Sequence, residues 1–306
     1  FACEGYLAPR MATFVRALIT AGVVRRDVEW HFARELERIR RLRKAWLPDV
    51  LCLALAVILS LTGPLLPLPS SSTSQTDLAA GQMTLTGQWY WLVCLPMFRF
   101  VFLRWIWRLG LWWYFLFRLS RMDLHLVSSH PDRAGGLGYL EVVHSEFTFM
   151  ILAISAVLAA TFAESILDGS MTVTMLYPAL AFVLILDTIL FVAPLFLFAP
   201  KLWLSRVQGL DRYMILASRY VEDFDKKWIR DAEANRAALL GTPDLQSMAD
   251  LGSSVNTVSN MRIAPLSRRL LIMFAGSALL PMAPLALLLY PGDDLAASLF
   301  KALLGL

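Results

Sequence analysis

Long stretches without charged side chains are the feature that most limits how this chain can fold. Four ranges carry no charge apart from Asp187: 50–76, 147–163, 169–200 and 270–292. A fifth range, 89–112, is apolar and aromatic but contains arginines. Because about 20 apolar residues cross the hydrocarbon core, we predict an all-α membrane protein. It has about five transmembrane helices, at roughly 48–68, 89–112, 147–167, 175–198 and 270–290.

Composition agrees with this class. The chain has 306 residues, of which 58% are hydrophobic, and its mean hydropathy is +0.58. Five such runs are hard to bury inside a soluble protein, so a soluble helical fold is the weaker interpretation.

Lysine and arginine predict the orientation. Residues 1–47 hold ten of them, 118–146 hold three and 199–269 hold eleven, whereas 69–88 and 168–174 hold none. Positive charge therefore alternates between loops, and the positive-inside rule places the charged segments in the cytoplasm. The net charge of +4 is explained by orientation, so no nucleic-acid partner is expected.

These patterns divide the chain into segments. We predict cytoplasmic basic amphipathic helices (1–47), transmembrane helices one and two (48–117), a cytoplasmic loop (118–146), transmembrane helices three and four (147–198), a cytoplasmic helical hairpin (199–268), transmembrane helix five (269–290) and a periplasmic C-terminal segment (291–306).

The cytoplasmic segments read as helix. Within 11–46 the apolar residues recur at helical spacing, and Gly22 is expected to break the helix in two. This segment fits either an interfacial helix or a solvated helix packed on the cytoplasmic part. In the hairpin, Thr242-Pro243-Asp244 is typical of a helix start, with Thr as cap and Pro at the first position.

The second span poses a question because it is unusually basic. Its sequence WYWLVCLPMFRFVFLRWIWRLGLWWYFLFRLSR, residues 89–121, carries arginines that fall within about half the helix circumference, at 99, 104, 108, 118 and 121. Counting from Trp89, Arg99 lies ~15 Å deep, near the midplane, and Arg108 ~28 Å deep, at the cytoplasmic boundary. Arg108 and the later arginines can reach lipid phosphates, and Arg104 is borderline.

A midplane arginine needs a partner or a wet cavity. Asp187 in span four lies ~18 Å from its outer end, also near the midplane, so we predict a charge pair between Arg99 and Asp187. Arg104 is then the main unpaired charge of this span. Glu164 lies near the outer end of span three and can reach water. Prolines beside this layer predict interrupted helices of the kind that line cavities.

The loop after the second span, HLVSSHPDRAGGLGYLEVVHSEF, holds the second group of candidates. His130, Asp132 and Arg133 precede Gly135 and Gly136, which favours an anion or phosphate site made by glycine amides and Arg133. A metal held by His130, Asp132, Glu141 and His144 is a further interpretation, although the second carboxylate–histidine motif of di-iron bundles is missing. A solvated connection between two membrane helices explains the same residues.

Three strings resemble motifs of a known family: HPDRAGGLGYL, ASRYVEDFDKKW and TPDLQSMADLGSSVNTVSNMR. They are similar to motifs of a family of uncharacterised bacterial polytopic inner-membrane proteins, over roughly residues 85–285. Members carry a further apolar helix upstream of the position where this chain begins. The resemblance implies a multi-pass protein of the bacterial inner membrane, and it assigns no activity to any residue.

Three functions remain open at this point. The first is an oligomeric channel or transporter, favouring anions, whose path is lined by the arginines of the second span. The second is a non-transporting subunit or scaffold whose cytoplasmic hairpin binds a protein partner. The third is a membrane enzyme acting on a lipid or phosphorylated substrate.

Partners and cofactors follow from the same residues. We expect the lipid bilayer, further copies of the chain and a cytoplasmic protein as partners. No enzyme signature is found, so no catalytic residue, resident metal or cofactor is predicted.

Overall fold

The computed structural model describes residues 2–61, 85–168, 173–230 and 243–285. Within these ranges all regular elements are helical, and the only β-type pairing is one isolated bridge, Val24 with Leu124. The α-helices are α1 (Ala2–Thr20), α2 (Glu29–Lys44), α3 (Trp46–Leu61), α4 (Leu85–Trp89), α5 (Leu95–Arg121), α6 (Tyr139–Ser145), α7 (Thr148–Leu167), α8 (Val173–Asp187), α9 (Ala199–Asp225), α10 (Pro243–Ser259) and α11 (Arg268–Leu279). The expected helical class is confirmed for the described part.

The chain forms two compact units. The first, called the loop unit, comprises Phe1–Trp30, Ser120–Glu146 and Phe191–Leu271. The second, called the span unit, comprises His31–Leu119, Phe147–Leu190 and Ile272–Leu306.

The predicted break between the first two helices is present. Gly22 follows the end of α1 with a φ of +66°, and its amide donates to the carbonyl of Ile19 at 3.1 Å. The amide of Val24 donates to the carbonyl of Leu18 at 3.2 Å. Glycine adopts a left-handed conformation without steric cost, so it caps the free carbonyls at a helix end.

The span unit has a small apolar core. Ala159 of α7 and Val183 of α8 are buried together with Met282 and Leu285, which follow α11. Close packing of side chains such as these is a main source of helix association in lipid.

The helix that contains Asp187 is interrupted directly after it. α8 is followed by a π-helical stretch, Thr188–Val192, and a 3-10 helix, Ala193–Phe198, before α9 begins. Pro194 has no N–H, so an α-helix would leave the carbonyl of Leu190 without its usual donor. The indole Nε1 of Trp113 donates to that carbonyl at 3.0 Å. The predicted interruption of span four is therefore present, and a side chain from α5 compensates for it.

In the loop unit, α9 packs against α10. Asp244, in the first turn of α10, accepts hydrogen bonds from Lys227 Nζ at 2.6 Å and from Trp228 Nε1 at 3.0 Å. Tyr220 donates its hydroxyl to the Asp244 carbonyl at 2.9 Å. The hydrogen bond from Lys227, then that from Trp228, hold the pKa of the Asp244 carboxyl below its usual value. α10 begins at Pro243, as predicted, whereas the expected cap Thr242 lies outside the described residues.

Three described helical stretches are long and apolar enough to cross a membrane: Tyr139–Leu167, Tyr177–Arg230 and Arg268–Leu285. Trp46–Ser60 is a shorter apolar helix. The described part of the chain is thus helical, with three helical stretches that could cross a membrane. The predicted outer loop at 69–84 and the C-terminal segment at 291–306 lie outside the described residues.

Candidate functional site

Arg99 of α5 lies inside the span unit and is only 6% exposed. Its Nη1 donates to Ser60 Oγ on α3 at 3.1 Å, and Ser60 in turn donates to the carbonyl of Ala56 at 2.8 Å. The Nε atom is buried and has no hydrogen-bond partner among the described residues. Arg99 is therefore a buried cation held by one neutral hydroxyl group.

Asp187 is the last residue of α8 and is 5% exposed. Its Oδ2 atom is buried without a hydrogen-bond partner in the described part of the chain. No ion pair joins Asp187 to Arg99 among the described residues, so the predicted direct pair is wrong. The reason is local, because the Arg99 guanidinium is directed to Ser60 on a different helix.

Arg104 is not the unpaired charge that the sequence predicted. Its Nε lies 3.2 Å from Oδ1 of Asp49, in the first turn of α3. The two atoms are close, but no hydrogen bond to this buried Nε is formed, so the interaction is a charge contact. Both side chains are partly exposed, at 31% and 44%, and solvent screening keeps such a pair weak. The anion-attracting role assigned to Arg104 is therefore reduced by a neighbouring carboxylate.

The other two intramembrane candidates are less enclosed. Arg108 on α5 and Glu164 on α7 are both half-buried. No described ion pair joins either of them to Arg99 or Asp187.

Sequence reasoning missed the pair between Glu35 of α2 and Arg118 of α5. Arg118 Nη2 donates to Glu35 Oε1 at 2.5 Å, and the Glu35 side chain is only 11% exposed. The hydrogen bond to Glu35 raises the pKa of Arg118. Phe32, one turn before Glu35, packs against Phe115 with ring centroids 6.3 Å apart. The sequence signal for this pair was Glu35 itself, a carboxylate on the apolar stripe of the basic helix α2.

These contacts show how α2 and α3 run along α5. Glu35 and Asp49 are 14 residues apart, and so are their partners Arg118 and Arg104. The paired residues follow each other in opposite chain directions, so α2 and α3 run antiparallel to α5 between these two contacts. The apolar stripe of α2 is packed on protein, which favours the packed helix over the interfacial one.

In the loop unit, Asp132 binds the backbone of its own loop. Oδ1 accepts from the Ala134 amide at 2.8 Å, Oδ2 accepts from the Gly138 amide at 2.8 Å, and the Gly136 amide lies within 3.2 Å of both oxygens. Burial by itself raises the pKa of the Asp132 carboxyl. The hydrogen bonds from these amides and from His130 lower that pKa by a larger amount, so it lies below its usual value. Of the two glycines predicted to bind phosphate, Gly136 therefore donates its amide to Asp132.

The two residues beside Asp132 differ in role. His130 Nδ1 lies 2.8 Å from Asp132 Oδ1, so the ring supports the carboxylate. Arg133 has a positive φ of 55°, and its carbonyl accepts from the Arg262 amide at 2.7 Å. The Arg133 side chain is exposed. Its backbone is thus part of the packing, while its guanidinium faces solvent.

The glycines of this loop provide close packing. A Cβ at Gly136, which has a φ of +96°, would lie 2.6 Å from Val23 Cγ2. A Cβ at Gly135 would lie 3.2 Å from both Leu126 and Met261. The segment that resembles a family motif is therefore a packing element of the loop unit, explained by sterics without a ligand.

The metal interpretation has no ligand set in the described part of the chain, where no group of three or more histidine, cysteine or acidic side chains could hold an ion. Glu141 accepts from Arg262 Nη1 at 2.9 Å and from the hydroxyl of Ser267. Ser267 Oγ also accepts from the Leu270 amide at 3.1 Å and so caps α11. Buried His144 lies with Nδ1 3.0 Å from the Leu140 carbonyl. Glu141 thus joins α6 to the start of α11.

Scans against models of protein families, curated proteins and solved structures find no match to this chain. The resemblance carried by HPDRAGGLGYL therefore stays an expectation from the motifs alone.

Proposed function

We propose that this chain is a multi-pass protein of the bacterial inner membrane with five spans. The spans are those that the sequence predicts, at roughly 48–68, 89–112, 147–167, 175–198 and 270–290. Residues 1–47, 118–146 and 199–268 are cytoplasmic, and the α9–α10 pair is a cytoplasmic helical hairpin. The distribution of lysine and arginine supports this orientation.

Cysteine labelling tests the orientation in a variant whose native cysteines are replaced by serine. Gln88 and Ser253 are exposed and lie on opposite sides of the proposed membrane. An impermeant reagent should label cysteine at 88 only from the periplasm and cysteine at 253 only from the cytoplasm. Labelling of position 88 from the cytoplasm would invert the topology.

The proposed activity is transport by an oligomer, as a channel or a transporter. One observation carries it: Arg99 and Asp187 are both buried, and neither neutralises the other. Ionisable side chains within the membrane are costly, and those that persist mark ion or substrate pathways. Asp187 also lies where a helix is interrupted, and interrupted helices form the binding sites of many transporters.

Anions are the proposed substrate class. Asp49 offsets Arg104, which leaves Arg99 as the most buried cation of the second span. A cation with one neutral hydrogen-bond partner attracts a small anion when a path reaches it. Oligomerisation would repeat Arg99 around an axis and strengthen the preference.

Flux through liposomes tests this proposal. Wild-type protein should pass chloride, and Arg99→Met should reduce the rate at least about tenfold, because a buried cation held by a neutral hydroxyl group is lost. Arg121→Met is the matched control, since Arg121 is exposed at the end of the same helix. Silent liposomes with a correctly assembled oligomer would reject transport.

A second candidate is a scaffold that binds a cytoplasmic protein. The consecutive residues Met214, Ile215 and Leu216 on α9 are 53%, 47% and 52% exposed. Apolar exposure around a helix favours a covering partner. Crosslinking from position 215 in cells, in protein that is silent in the flux assay, would favour this function.

A further inference from the structure

The outward surface at the end of α2 is strongly basic. Arg40 and Arg41 have side chains 67% and 79% exposed, and Arg43 and Lys44 are exposed beside them. The nearby carboxylate of Glu37 lies 3.5 Å from Arg40 and 3.6 Å from Arg41. One carboxylate is shared by two guanidinium groups, so the surface keeps a clear positive excess.

This surface changes to an apolar one within two residues. Trp46, the first residue of α3, is 72% exposed, and Leu47 is 56% exposed. Further along α3, Leu51 and Ile58 are 60% and 54% exposed. Exposed apolar side chains on a membrane helix contact lipid, and tryptophan is enriched where lipid meets water. The boundary between Lys44 and Trp46 therefore fixes the level of the lipid headgroups.

A second helix brings a further cation to the same level. Arg108 lies on α5 between Arg104 and Arg118, whose partners Asp49 and Glu35 lie on either side of residue 45. Arg108 thus lies at the height of the change from basic to apolar surface, where a guanidinium can extend towards phosphate. The carboxylates paired along this interface, Glu35 and Asp49, lie at least four residues to either side of Ala45.

We propose that Arg40, Arg41, Arg43 and Lys44, with Arg108, form a collar that binds the headgroup of an anionic phospholipid such as phosphatidylglycerol. The occupant is a lipid because the apolar surface directly below the collar holds acyl chains while the cations hold the phosphate. A cluster of four or more basic residues next to a membrane helix typically recruits anionic lipid, through charge that acts over about a Debye length. The inference rests on the proposed position of Trp46 at the membrane surface and not on transport.

Native mass spectrometry of the full-length protein in neutral detergent tests the collar. Wild type should bind phosphatidylglycerol at least about tenfold more tightly than phosphatidylcholine, as expected for several cations near one headgroup. The combined variant Arg40→Gln, Arg41→Gln, Arg43→Gln and Lys44→Gln should bind the two lipids equally. The control variant Arg16→Gln, Arg212→Gln, Arg219→Gln and Lys226→Gln removes as many exposed charges elsewhere and should keep the preference.

Other outcomes would overturn the proposal. A preference that survives in the collar variant, or is absent from wild type, rejects the site. Tighter binding of a short single-stranded RNA than of phosphatidylglycerol, lost in the same variant, would assign the surface to nucleic acid. If the collar variant fails to fold, two other measurements replace it. The combined variant Arg40→Lys, Arg41→Lys and Arg43→Lys must keep the preference for phosphatidylglycerol, and added salt must remove that preference from wild type. Lipid preference without chloride flux would reject the transport proposal and keep the collar.

Discussion

Asp49 and Arg104 form a charge contact between α3 and α5, with Oδ1 and Nε 3.2 Å apart. The α2–α3 segment contacts α5 a second time, at Glu35 and Arg118. Each of these residues lies 14 positions along its own segment from Asp49 or Arg104. The basic face of α5 is thus matched by acidic residues that lie before and at the start of the first apolar helix. The arginines of this helix therefore contribute to helix pairing, which is an alternative to lining an open path.

Charge exchange tests the contact between Asp49 and Arg104. Arg104→Glu places two carboxylates next to each other and should lower the melting temperature in detergent. Asp49→Arg with Arg104→Glu restores opposite charges and should recover most of the loss, because the register of α3 and α5 is kept. If the double variant is no more stable than the single one, the two residues do not interact directly. Asp211→Arg combined with Arg104→Glu restores the net charge at an exposed residue elsewhere and is the control.

The Asp132 carboxylate should stabilise the loop unit through its bonds to backbone amides. Asp132→Ala should lower the free energy of unfolding by about 2–4 kcal/mol, because three part-buried backbone amides lose a charged acceptor. Asp132→Asn should lose less, since one oxygen remains. Titration with sodium dodecyl sulfate in mixed micelles measures both, with Asp123→Asn, 77% exposed in the wild type, as the control.

The effect of Asp132 should also depend on pH. Its pKa in the folded protein is depressed, so its stabilising contribution is fully present above the unfolded value of about 3.9 and is lost as the pH falls through the folded pKa. The stability difference between wild type and Asp132→Asn should therefore be constant near neutrality and shrink below about pH 4. A difference that grows on acidification would contradict the assigned sign.

Gly209 of α9 should be required for the approach of the loop. A Cβ there would lie 2.3 Å from Ser128 Oγ and 2.5 Å from Ser128 Cβ, so Gly209→Ala should destabilise the protein by about 1–3 kcal/mol. Gly252→Ala, on α10 with open space around it, should instead stabilise by up to about 1 kcal/mol. Adding Ser128→Gly to Gly209→Ala should recover stability, and failure to do so would show that the loop is not the obstacle.

The sequence predicted the features that depend on local patterns. Helical class, the break at Gly22 and the interruption before Pro194 follow from periodicity and from the chemistry of glycine and proline. Prediction from the sequence failed where a contact depends on two residues that are far apart in the chain. Arg99 can reach several partners at its depth, and the spacing of charges along one helix cannot show that Ser60 is the one it meets. The Asp132 loop failed for a related reason, because an aspartate and glycine amides suit an external anion as well as an internal carboxylate.

The hydrogen bond from Trp113 to the Leu190 carbonyl should compensate for Pro194. Trp113→Phe removes the donor and should lower the free energy of unfolding by about 1 kcal/mol. Pro194→Ala supplies a backbone N–H, so in that background Trp113→Phe should cost little. Trp107→Phe, at a residue on the same helix that is 36% exposed, controls for loss of ring area. Equal costs of Trp113→Phe with and without Pro194 would mean that the indole stabilises the protein by packing alone.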